Sequence, residues 1–148
     1  MALHSYSKIL LHFIWGTHHR EKLISETIKL EVENYLINYS KKLDCYPLAI
    51  YANPDHVHLL IDILPSVSAE ELIKKLKGSS SHFVNQERLT KVKFKWARGY
   101  AVFSVSESIK NKVKDYILNQ EEHHRIRSYA EEVEMFLKKH DLTKQVNR

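Results

Sequence analysis

The stretch Asn53-Pro54-Asp55-His56-Val57-His58-Leu59-Leu60-Ile61 holds the densest set of side chains able to do chemistry in this chain. Alternate side chains of a strand share a face, so Val57, Leu59, Ile61 and Ile63 turn into a core while His56 and His58 turn together the other way. At a rise of about 3.3 Å per residue the two Cα atoms stand roughly 6.6 Å apart, from which both imidazoles reach one divalent metal, given a further ligand. Two polar residues facing solvent from a half-buried strand would produce the same pattern. Farther along, Tyr116 and Gln120 stand at i and i+4 and share a helix face. A tyrosine hydroxyl, with a pKa near 10, acts as a nucleophile only with polarisation or a nearby base. An aromatic residue on an amphipathic helix equally serves packing, and Gln120 alone is ordinary.

These groups need elements to hold them. Residues 6–17 place Ile9, Leu11, Phe13 and Trp15 on one side of a first strand, which puts His12 on the opposite side, near the histidine pair as a polar contact. Ser25 opens an amphipathic helix to residue 43, carrying Ile28, Val32, Tyr35, Leu36 and Tyr39. Residues 48–52 form a second strand, and Asn53-Pro54-Asp55 turns it into a third at 56–64. Pro65 ends that strand, and Ser68-x-x-Glu71 caps a second helix through Leu72, Ile73, Leu76 and Phe83, weakened midway by Gly78 and three serines. Residues 96–105 are aromatic and β-branched enough for a fourth strand. A tyrosine helix at about 108–123, with Ile109, Val113 and Ile117 on one ridge, precedes a helix at about 128–140 capped by Ser128-x-x-Glu131. The order is βαββαβ plus C-terminal helices: an α+β, ferredoxin-like split βαβ fold with one antiparallel sheet, in a single domain over residues 1–148. His123 and His124, past Tyr116 on nearly its face, read either as phosphate or metal contacts or as a solvated helix end. Residues 144–148 are expected to fray.

Composition excludes several classes. Gly16, Gly78 and Gly99 stand too far apart to write either a dinucleotide fingerprint or a phosphate-binding loop. The lone Cys45 leaves no internal disulfide and no thiolate pair for structural zinc, which fits a reducing cytoplasm. No apolar run approaches the roughly 18 residues of a membrane span, and the N-terminal residues lack a signal peptide's order. A formal charge of +5, from 23 basic and 18 acidic residues, suits a polyanionic partner.

Taken together, the Pro-Asp-His-Val-His-Leu-Leu strand, Lys77-Gly78-Ser79-Ser80-Ser81, Trp-Ala-Arg-Gly-Tyr at 96–100 before Phe103-Ser104, and Tyr116-Ile117-Leu118-Asn119-Gln120-Glu121 resemble the single-tyrosine transposases of small bacterial insertion sequences and their domesticated relatives associated with repetitive extragenic palindromes, within the HUH endonuclease superfamily. The resemblance runs from about residue 6 to 137, and its specific part is His-hydrophobic-His followed by Tyr-x-x-x-Gln. It implies an enzyme that cleaves and rejoins hairpin-bearing single-stranded DNA through a 5′-phosphotyrosine, with Tyr116 as nucleophile and His56, His58 and Gln120 as ligands of Mg²⁺ or Mn²⁺. It further implies a homodimer in which the tyrosine helix can complete the partner's site, although the short link at 104–108 equally permits packing in cis. On this reading Lys74, Lys75, Lys77, Lys91, Lys93, Lys95 and Arg98, the densest basic stretch, are candidate contacts to the DNA backbone. Two other readings remain: a non-catalytic nucleic-acid-binding module, which lacks the usual sheet-face aromatics, and a histidine-triad hydrolase, which would want a third histidine where Leu60 stands.

Overall fold

The computed structural model describes residues 5–124 and 127–142, with the side chains at 123 and 124 left out. The expectations for the His123 and His124 side chains and for residues 144–148 therefore fall outside the described set. Four strands, β1 (Leu10–Gly16), β2 (Tyr46–Ala52), β3 (His56–Asp62) and β4 (Ala101–Val105), form one sheet in the order β2-β3-β1-β4. Every neighbouring pair is antiparallel. Helices α1 (Glu26–Lys42) and α2 (Ala69–Gln86) supply the two crossovers, so the architecture is the expected βαββαβ, followed by α3 (Lys110–Leu118), α4 (Gln120–His124) and α5 (Tyr129–Lys139).

Strand alternation divides the interior into two layers. Phe13, Trp15, Val57, Leu59 and Ile61 face α1 and α2, meeting Val32, Leu36, Leu72, Ile73 and Leu76 in the main core. On the reverse face, Leu10, Leu60 and Val105 pack with Ile117 of α3, and Ile14 and Phe103 pack with Phe136 of α5. His56 and His58 lie on this reverse face and are fully buried, so the solvent-facing alternative for the pair is excluded. The C-terminal helices cover them.

Three expected boundaries shift, each for a local reason. The fourth strand begins at Ala101 rather than at 96, because Gly99 takes φ +78° and turns the chain out of the extended region, leaving Trp96 only an isolated bridge to Thr17. The tyrosine helix expected over 108–123 breaks at Asn119 (φ −103°, ψ 30°), whose backbone N–H and side-chain Nδ2 both donate to the Asp115 carbonyl, at 3.1 and 2.9 Å, so that the side chain caps the last turn. By contrast α2 runs unbroken through Gly78; the hydroxyls of Ser79, Ser80 and Ser81 bond back to carbonyls three residues earlier within the helix. Both expected capping boxes place a serine Oγ on the N3 amide, at Glu71 and at Glu131, and in α5 the Glu131 carboxylate also accepts from the Ser128 amide at 3.1 Å.

Gly16 pairs with His56 across β1 and β3, and a Cβ added there would stand 2.8 Å from Cε2 of Tyr129 and 3.3 Å from the Asp55 carbonyl oxygen. The bare backbone is what lets the Tyr129 ring approach. Gly16→Ala is expected to destabilise the fold by about 1–3 kcal/mol, the usual range for overpacking, as read from urea unfolding. Adding Tyr129→Ala should relieve most of that loss; equal losses in both backgrounds would place the clash elsewhere.

Candidate active site

The turn before β3 is closed by the Asn53 amide donating to the His56 carbonyl at 2.7 Å, which fixes where the strand starts. His56 Nδ1 donates to Asp55 Oδ1 at 2.7 Å and its Nε2 points at Glu132 Oε1, 3.0 Å away. His58 is held in the same fashion: its Nδ1 shares a 2.8 Å hydrogen bond with His12 Nε2, and its Nε2 lies 2.8 Å from the same Glu132 oxygen. One buried carboxylate oxygen thus sits between two imidazoles. The other carboxylate oxygen of Glu132 accepts from the Tyr116 hydroxyl, whose ring lies 5.9 Å from that of His58. Strand β3 and helix α3 thus converge on one acid of α5.

Gln120, also buried, completes the group from α4. The Asn53 Nδ2 amide lies 3.2 Å from both Gln120 Oε1 and His56 Nε2, so it links the two, and Gln120 Nε2 donates to the Tyr116 carbonyl at 3.3 Å. Tyr116, His56, His58 and Gln120 are therefore gathered within one chain, in cis. His12 behaves as expected, as a polar support for His58.

The electrostatics follow from burial and that carboxylate. Burial by itself lowers the His56 imidazole, yet its hydrogen bonds to the Asp55 and Glu132 carboxylates outweigh this and hold it above the ordinary histidine value. Burial first, then electrostatic interaction with His58, holds His12 well below that value. Tyr116 is raised above the usual phenol by burial and by its bond to Glu132, against a smaller lowering by Gln120. Tyr129, whose ring stacks on His56 at 4.2 Å between centroids, is pushed up to about 12 by burial, with Arg20 opposing and Asp55 and Glu132 adding.

The donor set suits a divalent ion. His56, His58 and Glu132 each offer one ligand atom, and the three lie within 4.8 Å of one another. The 2.8 and 3.0 Å separations of the carboxylate oxygen from the imidazole nitrogens are those of neighbouring ligands about 2.1 Å from a small octahedral ion. Asp55 and His12 bond the remote ring nitrogens, as partners of metal-bound histidines do.

Glu132 escaped the sequence reading. Its signal was position: it shares the inward stripe of α5 with Tyr129 at i−3 and Phe136 at i+4, where a carboxylate is tolerated only if partners meet it inside. The basic candidates separate by use. Lys77 Nζ donates to the Ala97 and Gly99 carbonyls at 2.7 and 3.0 Å and holds the turn before β4, while Lys75 pairs with Glu71 at 3.0 Å. Lys74, Lys91, Lys93, Lys95 and Arg98 stand exposed at the surface.

A ferredoxin-like domain whose sheet carries a buried histidine pair against a tyrosine helix defines a narrow class of DNA-processing enzymes. Residues 5–120 match the family model described as transposase IS200 like, and the chain belongs to that family. It is 25% identical over 114 residues to the ISDra2 transposase TnpA of Deinococcus radiodurans, covering 74% of this chain and 81% of that protein. It is 38% identical over 72 residues to the transposase for insertion sequence element IS200 of Salmonella typhimurium, a match covering 45% of this chain and 46% of that protein. Among solved structures, a candidate transposase from Deinococcus radiodurans R1 superposes with a TM-score of 0.64 at 26% identity, over 81% of this chain and 96% of that one. The fold is likewise that of a REP-associated tyrosine transposase bound to a REP hairpin, with a TM-score of 0.61 at 13% identity over 84% of this chain and 74% of that one. No helix among the described residues is long and apolar enough to cross a membrane.

Glu132→Ala should weaken Mn²⁺ binding by at least about tenfold in calorimetric titration, the scale on which even supporting residues of metal sites act. Gln120→Ala should cost less. The reverse order would support Gln120, the third ligand that the family resemblance implies.

Proposed function

We propose that this transposase cleaves and rejoins single-stranded DNA bearing a hairpin, with Tyr116 as nucleophile and a Mg²⁺ or Mn²⁺ ion held by His56, His58 and Glu132, Gln120 standing beside them. The observation that carries the reading is the convergence of the Tyr116 hydroxyl and both imidazole Nε2 atoms on one carboxylate. When bound, such an ion supplies positive charge to polarise the scissile phosphate. Tyr116 Oη attacks phosphorus, forming the P–Oη bond as the P–O3′ bond breaks; Glu132 Oε2 takes the phenol proton and returns it, through water, to the leaving 3′-oxygen, which ends as a 3′-hydroxyl. The phosphodiester becomes a phosphotyrosyl ester of similar energy, so a 3′-hydroxyl from another end reverses the step without an external energy source. Burial and the bond to Glu132 that raise Tyr116 make a positioned proton acceptor necessary.

The rival reading as a non-catalytic binder leaves the buried, multiply supported histidines without a purpose. Whether the palindromes belong to a mobile element or to chromosomal repeats, the same chemistry applies. With Mg²⁺ or Mn²⁺ and a labelled hairpin oligonucleotide, denaturing electrophoresis should show a slower protein-DNA band that vanishes in Tyr116→Phe. His56→Ala and His58→Ala should abolish the band yet keep hairpin affinity in a gel shift; a band of equal strength in Tyr116→Phe excludes the nucleophile.

The family resemblance implies a homodimer whose tyrosine helix can complete the partner's site, but Tyr116 reaches the histidines of its own chain, which supports sites assembled in cis. Mixing Tyr116→Phe with the His56→Ala, His58→Ala double variant, after subunit exchange, should therefore leave cleavage absent. Recovery of cleavage would show that the tyrosine helix crosses between subunits.

A further inference from the structure

A groove of about 440 Å³ runs beside the catalytic centre, between the segment after β1, the turn before β4 and α5. Its size lies in the range of small-ligand sites, about 300–1,000 Å³. Arg20 and Arg98 line it with His19, Tyr100 and Tyr129, and no carboxylate among the described residues does. Arg20 and Arg98 are exposed at its rim, and the Arg20 guanidinium lies over the Tyr129 ring, 5.8 Å from its centroid. That same ring stacks against His56, so the groove is one aromatic thickness from a ligand of the proposed ion.

The walls are fixed in advance. Lys77 holds the carbonyls of Ala97 and Gly99, the Ala97 amide donates to the Gly16 carbonyl at 2.9 Å, and Thr17 bridges Trp96. Arg20 keeps φ 55°, a sparsely populated conformation for a non-glycine residue that aims the segment across the groove. Two guanidiniums suit a phosphate, and flat rings beside them suit a base. An acidic peptide would meet the cations but leave the exposed Tyr100 ring without a planar partner.

We propose that this groove holds one unpaired nucleotide of the DNA strand flanking the scissile phosphate, with its phosphate on Arg20 and Arg98 and its base against Tyr100. The assignment rests on the DNA-cleaving reading above and adds to it a position-specific grip on the single strand. Fixing the nucleotide next to the bond sets the distance between Tyr116 and phosphorus, a contribution separate from hairpin recognition.

The test uses the full chain in EDTA and fluorescence anisotropy with two probes, a hairpin alone and the same hairpin with a single-stranded flank. The flank should tighten binding to the unaltered protein by on the order of tenfold. Arg20→Ala with Arg98→Ala should erase that increment, bringing the flanked probe down to the affinity of the hairpin-only probe for the same variant, and reduce the flanked probe's salt slope by about 0.7 for each lost phosphate contact. Lys41→Ala with Lys42→Ala, which removes equal charge at the exposed end of α1, should leave the increment in place. An abasic nucleotide at one flank position, and no other, should mimic Tyr100→Ser. An increment that survives the arginine substitutions, or falls equally in the lysine control, overturns the groove assignment. If the Tyr116 adduct still forms in that case, only the groove fails; if the unaltered protein binds neither probe and forms no adduct, the DNA reading fails with it.

Discussion

A single buried carboxylate organises the reverse face of the sheet. An ionised acid removed from water carries a penalty of several kcal/mol that only close, well-aimed partners offset. Glu132 finds three: Nε2 of His56, Nε2 of His58 and the hydroxyl of Tyr116. Because these partners come from β3 and α3 while Glu132 comes from α5, satisfying the acid also fixes the docking of two helices on the sheet. Removing one partner would leave charge or polarity stranded in an interior of low dielectric, so the site is cooperative in the structural sense as well as the chemical one.

The sheet makes such an arrangement possible by its period of two. On β3 the residues Val57, Leu59 and Ile61 join the main core, which anchors the strand on one side and frees the other for polar work. Cross-strand register then supplies the supports. Ile14 lies opposite His58, His12 approaches diagonally to bond it, and Gly16 lies opposite His56 and leaves room for Tyr129. A slip of one residue would exchange the two faces and destroy both the core and the site.

Much of this was readable in the chain. The alternation around the histidines fixed their common face, and the capping boxes at Ser68 and Ser128 placed two helices. Less legible were features in which one local interaction overrides a periodic pattern: Asn119 turning its amide onto the Asp115 carbonyl, and Gly99 leaving the strand region. Glu132 was hidden for another reason. Periodicity tells which residues face inward, but an inward carboxylate acquires meaning only when elements distant in sequence bring donors to it, and its partners His56 and His58 are 76 and 74 residues away.

The distribution of positive charge follows the same division between holding and acting. Lys77 lies in the densest basic stretch yet spends its ammonium on two carbonyls, and burial lowers its pKa accordingly. Its charge helps to build the turn that carries Arg98 to the groove. Lys91, Lys93 and Lys95 remain exposed on the segment leading to that turn. Flexible ammonium groups there are suited to attracting a phosphate backbone without regard to position, whereas the planar guanidiniums beside Tyr129 are suited to fixing one phosphate in register. On the proposed DNA reading, long-range attraction and local positioning would fall to different residues of one basic surface, the exposed ammonium groups serving the first and the groove guanidiniums the second.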